Sequence, residues 1–382
     1  MYPDLQSTVL ITDISTRKSF DLANILLSQG MDILLCDDIR GYKAWILSKA
    51  YGRSVERLSK ERFDEDLATI AKKYSDKKLI YFPIEEDTTL KVYKFLKTSE
   101  ISNLYLNLPP EESFEIVRDK KSFSRFCMQN EQNIPKEYDY RALVEERTLP
   151  SKLIVKPKNG SGAMGIKYID SKEDLLSLNL NFDNYIIQQR LDGEKDIKGA
   201  FFLFDKGELI AYYGHKRLRT YPSRGGVSVY SKCHMDEELK RSGCGLLRKL
   251  KWSGLAMVEF LYDEKSGEHK IIEVNPRVWG SIMLSEFCGS RMIENYCKSA
   301  LGYESSRAEA DTRKYIRWFF PWDIVLYIQK RGKIKDFWKF QKRDCCYINF
   351  TYSPWSGALL FTFYNLINPD KIKTFLKKVL SK

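Results

Sequence analysis

The chain of 382 residues is poor in several things. It holds three histidines, His215, His234 and His269, and its eight cysteines show no C-x-x-C spacing. Zinc modules draw on clustered Cys and His ligands, so none is expected. Glycine and proline number only 21 and 12, against 43% hydrophobic residues, which excludes collagen-like and disordered chains. No run of about 18 uncharged apolar residues occurs, so the signal of a transmembrane helix is missing. Met1-Tyr2-Pro3-Asp4 lacks the basic start and apolar core of a signal peptide. Reduced thiols and a cytoplasmic setting are the expectation. At roughly 150 residues per domain, the length suggests two to three domains.

What the chain does have is positive charge, unevenly placed. The net charge is +12, of which Leu301–Lys382 carries 16 Lys and Arg against 7 Asp and Glu. That 82-residue tail therefore holds +9 and the first 300 residues only +3. It also holds 18 of the 51 aromatic residues, among them Trp318, Trp322, Trp338 and Trp355. Such interleaving suits anionic lipid, nucleic acid or an acidic substrate. It equally suits a helical subdomain with an aromatic core and solvated lysines.

Hydrophobic periodicity divides the rest. Thr8–Asp13, Asp32–Cys36, Lys78–Phe82 and Asn103–Leu108 read as strands, with helices over Arg17–Gln29 and Thr88–Lys97. Strand–helix alternation predicts an open parallel α/β sheet. Its first turn, Thr12-Asp13-Ile14-Ser15-Thr16-Arg17, has no glycine, so a dinucleotide pyrophosphate could not approach the backbone there. After a helix over Asp119–Asn130 the pattern changes to strands with hairpin turns. These are Leu153–Lys156, Ile166–Ile169, Tyr185–Gln189, Ala200–Phe204, Glu208–Tyr213, Leu255–Tyr262 and His269–Val274, a mainly antiparallel α+β region.

Two features carry chemistry. Gly160, Gly162 and Gly165 satisfy G-x-G-x-x-G, yet Ile166–Ile169 reads as a strand where a dinucleotide site needs a helix. What remains is a glycine hairpin between strands, able to present backbone N–H groups to phosphates. Lys156 ends the apolar strand before it, where a buried ammonium calls for an anionic partner unless it snorkels to solvent. The second feature is a pair of acids, Glu259 and Glu273, each inside an apolar strand. A hairpin centred at Ser266 sets them face to face, about 5 Å apart, where like charges repel. A divalent cation would turn that liability into a ligand set. The alternative places both acids on the wet face of an edge hairpin.

With these residues in order, the chain resembles the ATP-grasp superfamily, of the carboxylate–amine ligase, carbamoyl-phosphate synthase and biotin carboxylase type, from about Thr8 to Leu301. Arg118-Asp119-Lys120 resembles the first ATP-contacting lysine, and Val155-Lys156-Pro157 the second. Gly160, Ser161, Gly162, Ala163 and Gly165 resemble the flexible lid loop. Ile186–Glu194 resembles the hinge strand, which implies Gln188 at the adenine, Gln189 and Leu191 as backbone contacts, and Glu194 at the ribose. Gln188 departs from the Glu that many relatives carry. Glu259, Glu273 and Asn275 resemble the metal ligands. The loop from Lys216 to Gly226 resembles one that carries basic residues near the transferred phosphate, and Lys216, Arg217, Arg219 and Arg224 are its candidates. Arg277 is the choice to grip the carboxylate.

The resemblance implies a Rossmann-like pre-ATP-grasp domain over residues 1–112 and an α+β ATP-grasp domain over 113–300. A glycine-rich lid subdomain would cover about 150–214, and the basic, aromatic-rich C-terminal extension 301–382. It implies ATP, one or two Mg²⁺ with Mn²⁺ as a substitute, and a small-molecule carboxylate joined through an acyl phosphate to an amine, or less often to a thiol or another nucleophile, with release of ADP and phosphate. A kinase-type phosphotransferase is the nearer rival. A nucleic-acid or membrane-binding protein without catalysis is the farther one, although no nucleic acid is expected. A homodimer, and peripheral contact of the extension with a membrane or an anionic substrate, complete the expectations.

Overall fold

The computed structural model describes residues 7–160, 165–191, 197–221, 227–318, 345–347, 355–369 and 372–373. Contacts group the chain into two units. The first comprises Met1–Leu108, Ser228–Cys233 and Arg277–Lys382, and the second Pro109–Val227 and His234–Pro276.

In the first unit the alternating pattern folds as β1 (Ser7–Ile11), α1 (Arg17–Ser28), β2 (Asp32–Asp37), α2 (Gly41–Tyr51), β3 (Val55–Arg57), α3 (Phe63–Lys73), β4 (Lys78–Tyr81), α4 (Glu86–Thr98) and β5 (Leu104–Tyr105). The strands form a parallel sheet in the order β3-β2-β1-β4-β5. β1 is buried at every position, as a strand covered on both faces must be. Leu10, Leu34 and Tyr81 pack with Leu67, Ile70 and Phe95 of the helices. The sheet order reverses at β1, so the carboxyl ends of β1 and β4 flank the switch point. Asp13, in the turn without glycine, takes a left-handed φ of 52°, which the short polar side chain of Asp tolerates better than most. The stretch between Asp37 and Lys78, where no element was expected, contains α2, β3 and α3. Their apolar positions are too interrupted by charge to stand out in a single sequence.

The second unit contains α5 (Glu111–Arg118), α6 (Lys120–Gln129), β6 (Glu137–Tyr138), α7 (Tyr140–Glu145), β7 (Leu153–Pro157), β8 (Lys167–Ile169), α8 (Lys172–Leu176), β9 (Tyr185–Gln189), β10 (Ile197–Asp205) and β11 (Glu208–Tyr221). Beyond β12 (Val227–Cys233), which falls mostly in the first unit, it adds α9 (Glu237–Lys249), β13 (Gly254–Asp263) and β14 (Glu268–Asn275). Its strands make two antiparallel arrays, β14-β13-β10-β11 and β6-β9-β7-β8. Phe202, Phe204, Trp252, Val258 and Phe260 form the core beneath the first array, and Leu143, Leu153, Val155 and Ile187 beneath the second. β11 runs eight residues past the expected end at Tyr213. Its outer half alternates basic residues with Leu218 and Thr220, which hides a strand from a hydrophobicity pattern.

The first unit closes with α10 (Ile282–Phe287), α11 (Met292–Ala300), β15 (Tyr315–Arg317), β16 (Cys345–Tyr347) and α12 (Trp355–Ile367). β15 pairs antiparallel with β12 and parallel with β16. No described helix is long and apolar enough to cross a membrane.

Candidate functional site

The register of β13 and β14 sets Glu259 opposite Glu273, but not through a turn centred at Ser266. At the turn Asp263 pairs with Glu268 and Phe260 with Ile271, one residue off the expected register. A bulge at Ile272 then shifts the ladder, so that the next pair is Glu259 with Glu273. Bulges re-aim a side chain locally, and here one returns both acids to a single face. The same row continues across the array, because Glu259 lies opposite Gly199 and Gly199 opposite His215. A Cβ on Gly199 would fall 2.8 Å from His215 Nε2, so glycine at that position makes room for the imidazole. Burial, and next the charge of Arg217, push the His215 pKa well below its usual value and keep the ring neutral.

Basic groups converge on the acid pair. Arg217, two residues beyond His215 and hence on the same face, donates from Nη2 to Glu259 Oε1 at 2.8 Å. Lys120 Nζ lies 3.9 Å from Glu273 Oε2. Asn275 shares the face of Glu273 at i+2 and donates from Nδ2 to Glu273 Oε1 at 3.2 Å. Asp119 starts α6 by accepting from the Lys121 and Ser122 N–H groups, which makes Lys120 the first helical residue. Lys120 also ties the helix to the glycine hairpin, its N–H donating to Lys158 O at 2.9 Å and its Nζ to Gly160 O at 2.8 Å.

Lys156, on β7, is buried and donates from Nζ to Gln188 Oε1 at 3.2 Å. Burial first, then the neighbouring Lys120, push its pKa down to about 8, while Glu273 and Glu259 act in the opposite sense. The amine therefore sits within electrostatic reach of both acids without a direct ion pair among the described residues. Gly160 and Gly165 bracket the hairpin with φ of 113° and 76°. A Cβ on Gly165 would also stand 2.9 Å from Pro157 Cγ, so only glycine lets the returning strand pass over Pro157.

The other expected residues are distributed as follows. Gln188 is buried. The Gln189 N–H donates to Lys136 O at 2.8 Å and so is already engaged within the sheet. Leu191 is buried. Arg219 lies by strand alternation on the face of Glu259. Lys216 does not, because its row runs through Lys198 to Phe260 of the core face, where Lys198 pairs with Asp236 at 3.0 Å. The structure thus brings Arg217 to the acid pair and sends Lys216 to the opposite face. A single sequence offered four basic candidates in this loop and no register by which to choose. Arg277 belongs to the first unit, where its Nε donates to Glu86 Oε1 at 3.2 Å. Ser161, Gly162, Ala163, Glu194 and Arg224 lie outside the described residues.

As a donor set, two opposed carboxylates and a carboxamide oxygen match what a hard divalent cation takes, usually one or two carboxylates supplemented by phosphate. No group of three or more His, Cys, Asp or Glu side chains able to hold a metal occurs among the described residues. A pair of acids completed by an amide and by ligand oxygens is smaller than such a cluster, so the residues fit Mg²⁺ only together with a phosphate.

Residues 117–281 match the model of the family described as ATP-grasp domain. Over those residues the chain is similar to an ATP-grasp domain. The match spans Lys120, Lys156, the hairpin, Gln188 and the Glu259–Glu273 pair. No curated protein matches the chain. Solved structures similar to it include N5-carboxyaminoimidazole ribonucleotide synthetase from Thermotoga maritima, at 14% identity over 80% of this chain and 78% of that one, with a TM-score of 0.57. The biotin carboxylase domain dimer of Hydrogenobacter thermophilus 2-oxoglutarate carboxylase, solved with MgADP, ADP and bicarbonate, is similar at 13% identity over 81% and 73% of the chains, with a TM-score of 0.62. L-amino acid ligase from Bacillus licheniformis is similar at 16% identity over 82% and 79%, with a TM-score of 0.55. At such identities the likeness is one of fold. It joins a parallel α/β sheet at the N-terminus to an ATP-grasp domain with antiparallel sheets.

Proposed function

We propose that the protein is an ATP- and Mg²⁺-dependent ligase that joins a small-molecule carboxylate to an amine. The observation that carries the reading is the opposed Glu259–Glu273 pair with Lys120 and Lys156 beside it. The substrate carboxylate attacks the γ-phosphorus, the bond to the β,γ-bridging oxygen breaks, and ADP leaves. The amine then attacks the acyl carbon, expels phosphate and loses a proton. Lys120 and Lys156 hold phosphate oxygens, and the Gly160–Gly165 hairpin covers them as a lid. Gln188 faces the adenine, the Gln189 and Leu191 backbone lines it, and Glu194 holds the ribose. Glu259, Glu273 and Asn275 hold one or two Mg²⁺, or Mn²⁺, which neutralise the triphosphate when bound. Arg217, Arg219 and Arg224 are the basic groups for the transferred phosphate, with Arg277 at the carboxylate.

Little covalent help is asked of such residues, since positioning and charge stabilisation supply most of the rate. The segmentation into a pre-ATP-grasp domain over 1–112, an ATP-grasp domain over 113–300 and an extension over 301–382 belongs to the same proposal. Support comes from the family match and from folds shared with a carboxylase and with ligases.

The test is ADP release across a panel of carboxylates and amines, with hydroxylamine as trap. An acyl phosphate yields a hydroxamate, whereas a kinase that stops at a stable phosphorylated product does not. Glu273→Gln is expected to lower ADP release at least a hundredfold with its unfolding midpoint preserved, on the scale of losing a transition-state charge contact. Retained turnover in that variant overturns the assignment.

A further inference from the structure

The array β6-β9-β7-β8 turns one face to its own core, where Leu153, Val155 and Ile187 pack with Leu143. By strand alternation Ile154 and Lys156 of β7, and Ile186 and Gln188 of β9, take the other face. The register sets Ile154 opposite Gln188 and Lys156 opposite Ile186. The four side chains thus form a square, with two apolar corners on one diagonal and two polar corners on the other. Across the polar diagonal Lys156 Nζ donates to Gln188 Oε1 at 3.2 Å, and the two residues are only 8% and 6% exposed.

That contact fixes the polarity of the amide. An ammonium has donors and no acceptor, so the end of Gln188 that meets it must be the carbonyl oxygen. The NH₂ end is left to face elsewhere. Among the described residues neither Glu137, opposite on β6, nor any other group accepts from it. A buried donor without an acceptor is costly, and a ligand that supplies an acceptor offsets that cost. Lys156 carries three N–H donors, so it can keep the amide oxygen and still meet phosphate oxygens.

We propose that Gln188 meets the nucleotide base as a hydrogen-bond donor, so that the site takes a 6-oxopurine triphosphate, of the inosine or guanosine type, as readily as ATP. This rests on the reading of the site as a nucleotide site with Gln188 at the base. Adenine presents its N6 amine, a donor, where hypoxanthine and guanine present O6, an acceptor. Donor against donor gives ATP no hydrogen bond at Gln188, whereas O6 completes one. A glutamate at this position would reverse the choice, because a carboxylate only accepts. Lys156 is here a positioning residue, holding the amide one way round in addition to its proposed part at the phosphates. Ile154 and Ile186 offer the flat ring apolar surface and leave the polar choice to Gln188.

The experiment titrates the full chain calorimetrically with Mg-ATP and with Mg-ITP, which differs from ATP only in O6 for the N6 amine and a proton on N1. The parent chain is expected to bind ITP within about threefold of ATP, or more tightly. Gln188→Glu is expected to move the ratio of the two affinities about tenfold toward ATP. Lys156→Met should move it the same way by about threefold, since the amide can then turn its oxygen to the base. Loss of a phosphate contact weakens both nucleotides alike and cancels in the ratio. A parent chain that favours ATP by more than about threefold overturns the proposal. So does a ratio unchanged in either variant, and the parent's own ratio decides even where a variant does not fold. Binding of ATP with ITP excluded ends this proposal and leaves the ligase reading in place, whereas binding of neither nucleotide removes both.

Discussion

Two buried lysines, one in each unit, invite comparison. Lys18 in α1 and Lys156 in β7 both have pKa values pushed down to about 8, and for both the first cause is burial. Their surroundings differ. Lys18 Nζ lies 3.0 Å from Glu85, a direct ion pair that balances the charge inside the first unit. Lys156 has a neutral amide, Gln188, at hydrogen-bonding distance, and meets Glu273 and Glu259 only through longer-range attraction. A buried ammonium whose nearest partner is neutral is costly, and under the proposed function a phosphate would offset that cost. An equal shift in pKa therefore accompanies two different surroundings: Lys18 pairs directly with Glu85, and Lys156 has only a neutral amide, which is the basis of its proposed role toward phosphate.

The sharpest test of that difference replaces each amine by an isosteric apolar side chain. Lys156→Met is expected to weaken ATP binding by roughly tenfold to a hundredfold, the scale of a lost charge-assisted hydrogen bond. Its unfolding free energy should hold or rise, because a buried charge has gone. Lys18→Met should leave nucleotide affinity little changed, since Lys18 pairs with Glu85 within the first unit and the carboxylate it leaves is partly exposed to water. Calorimetric titration and urea unfolding of both variants separate the cases. Equal loss of affinity in the two would dissolve the distinction.

A smaller effect follows from pH. With its folded pKa near 8, Lys156 loses its proton as pH rises through that value, so ATP affinity should fall between about pH 7 and pH 9. Lys156→Arg should flatten the profile, because a guanidinium stays charged there. Stability moves the other way. Both lysines bind fewer protons in the folded state than in the unfolded chain between about pH 8 and the ordinary value of 10.5, so their contribution to stability rises with pH across that window. A fall in stability across it, with the rest of the chain held fixed, would contradict the burial of these amines.

The smallest effect concerns the hairpin after Lys156. Gly165→Ala must place a Cβ at positive φ and 2.9 Å from Pro157 Cγ, and is expected to cost about 1–2 kcal/mol in urea unfolding. The same change at Gly52 meets open space and carries only the cost of its φ of 65°. A difference between them isolates the close approach to Pro157.

Much of this was legible before any coordinates. Each strand expected on either side of the glycine hairpin is present, because short β-branched runs between turn residues leave little choice of element. The facing of Glu259 and Glu273 was legible as well, although for a partly different reason: the bulge at Ile272 compensates a turn that sits one residue off. Three things were not legible. The outer half of β11 hid its strand character behind alternating basic residues. The stretch from Gly41 to Lys73 hid its helices behind interrupted apolar spacing. The choice of Arg217 over Lys216 depends on Gly199 pairing with both Glu259 and His215, a relation among three strands that no local pattern encodes.

By itself, the sequence determined the local chemistry: which segments alternate, where glycine must turn the chain, and which two strands carry an acid amid apolar residues. These follow from periodicity and backbone sterics, which act over a few residues. The tertiary structure alone decided the faces and partners. It set Arg217 on Glu259, Lys156 on Gln188, and Ser228–Cys233 with Arg277 and the residues after it in the first unit. Such choices rest on burial and strand pairing between segments tens to hundreds of residues apart, where the free energy depends on what the rest of the chain brings alongside.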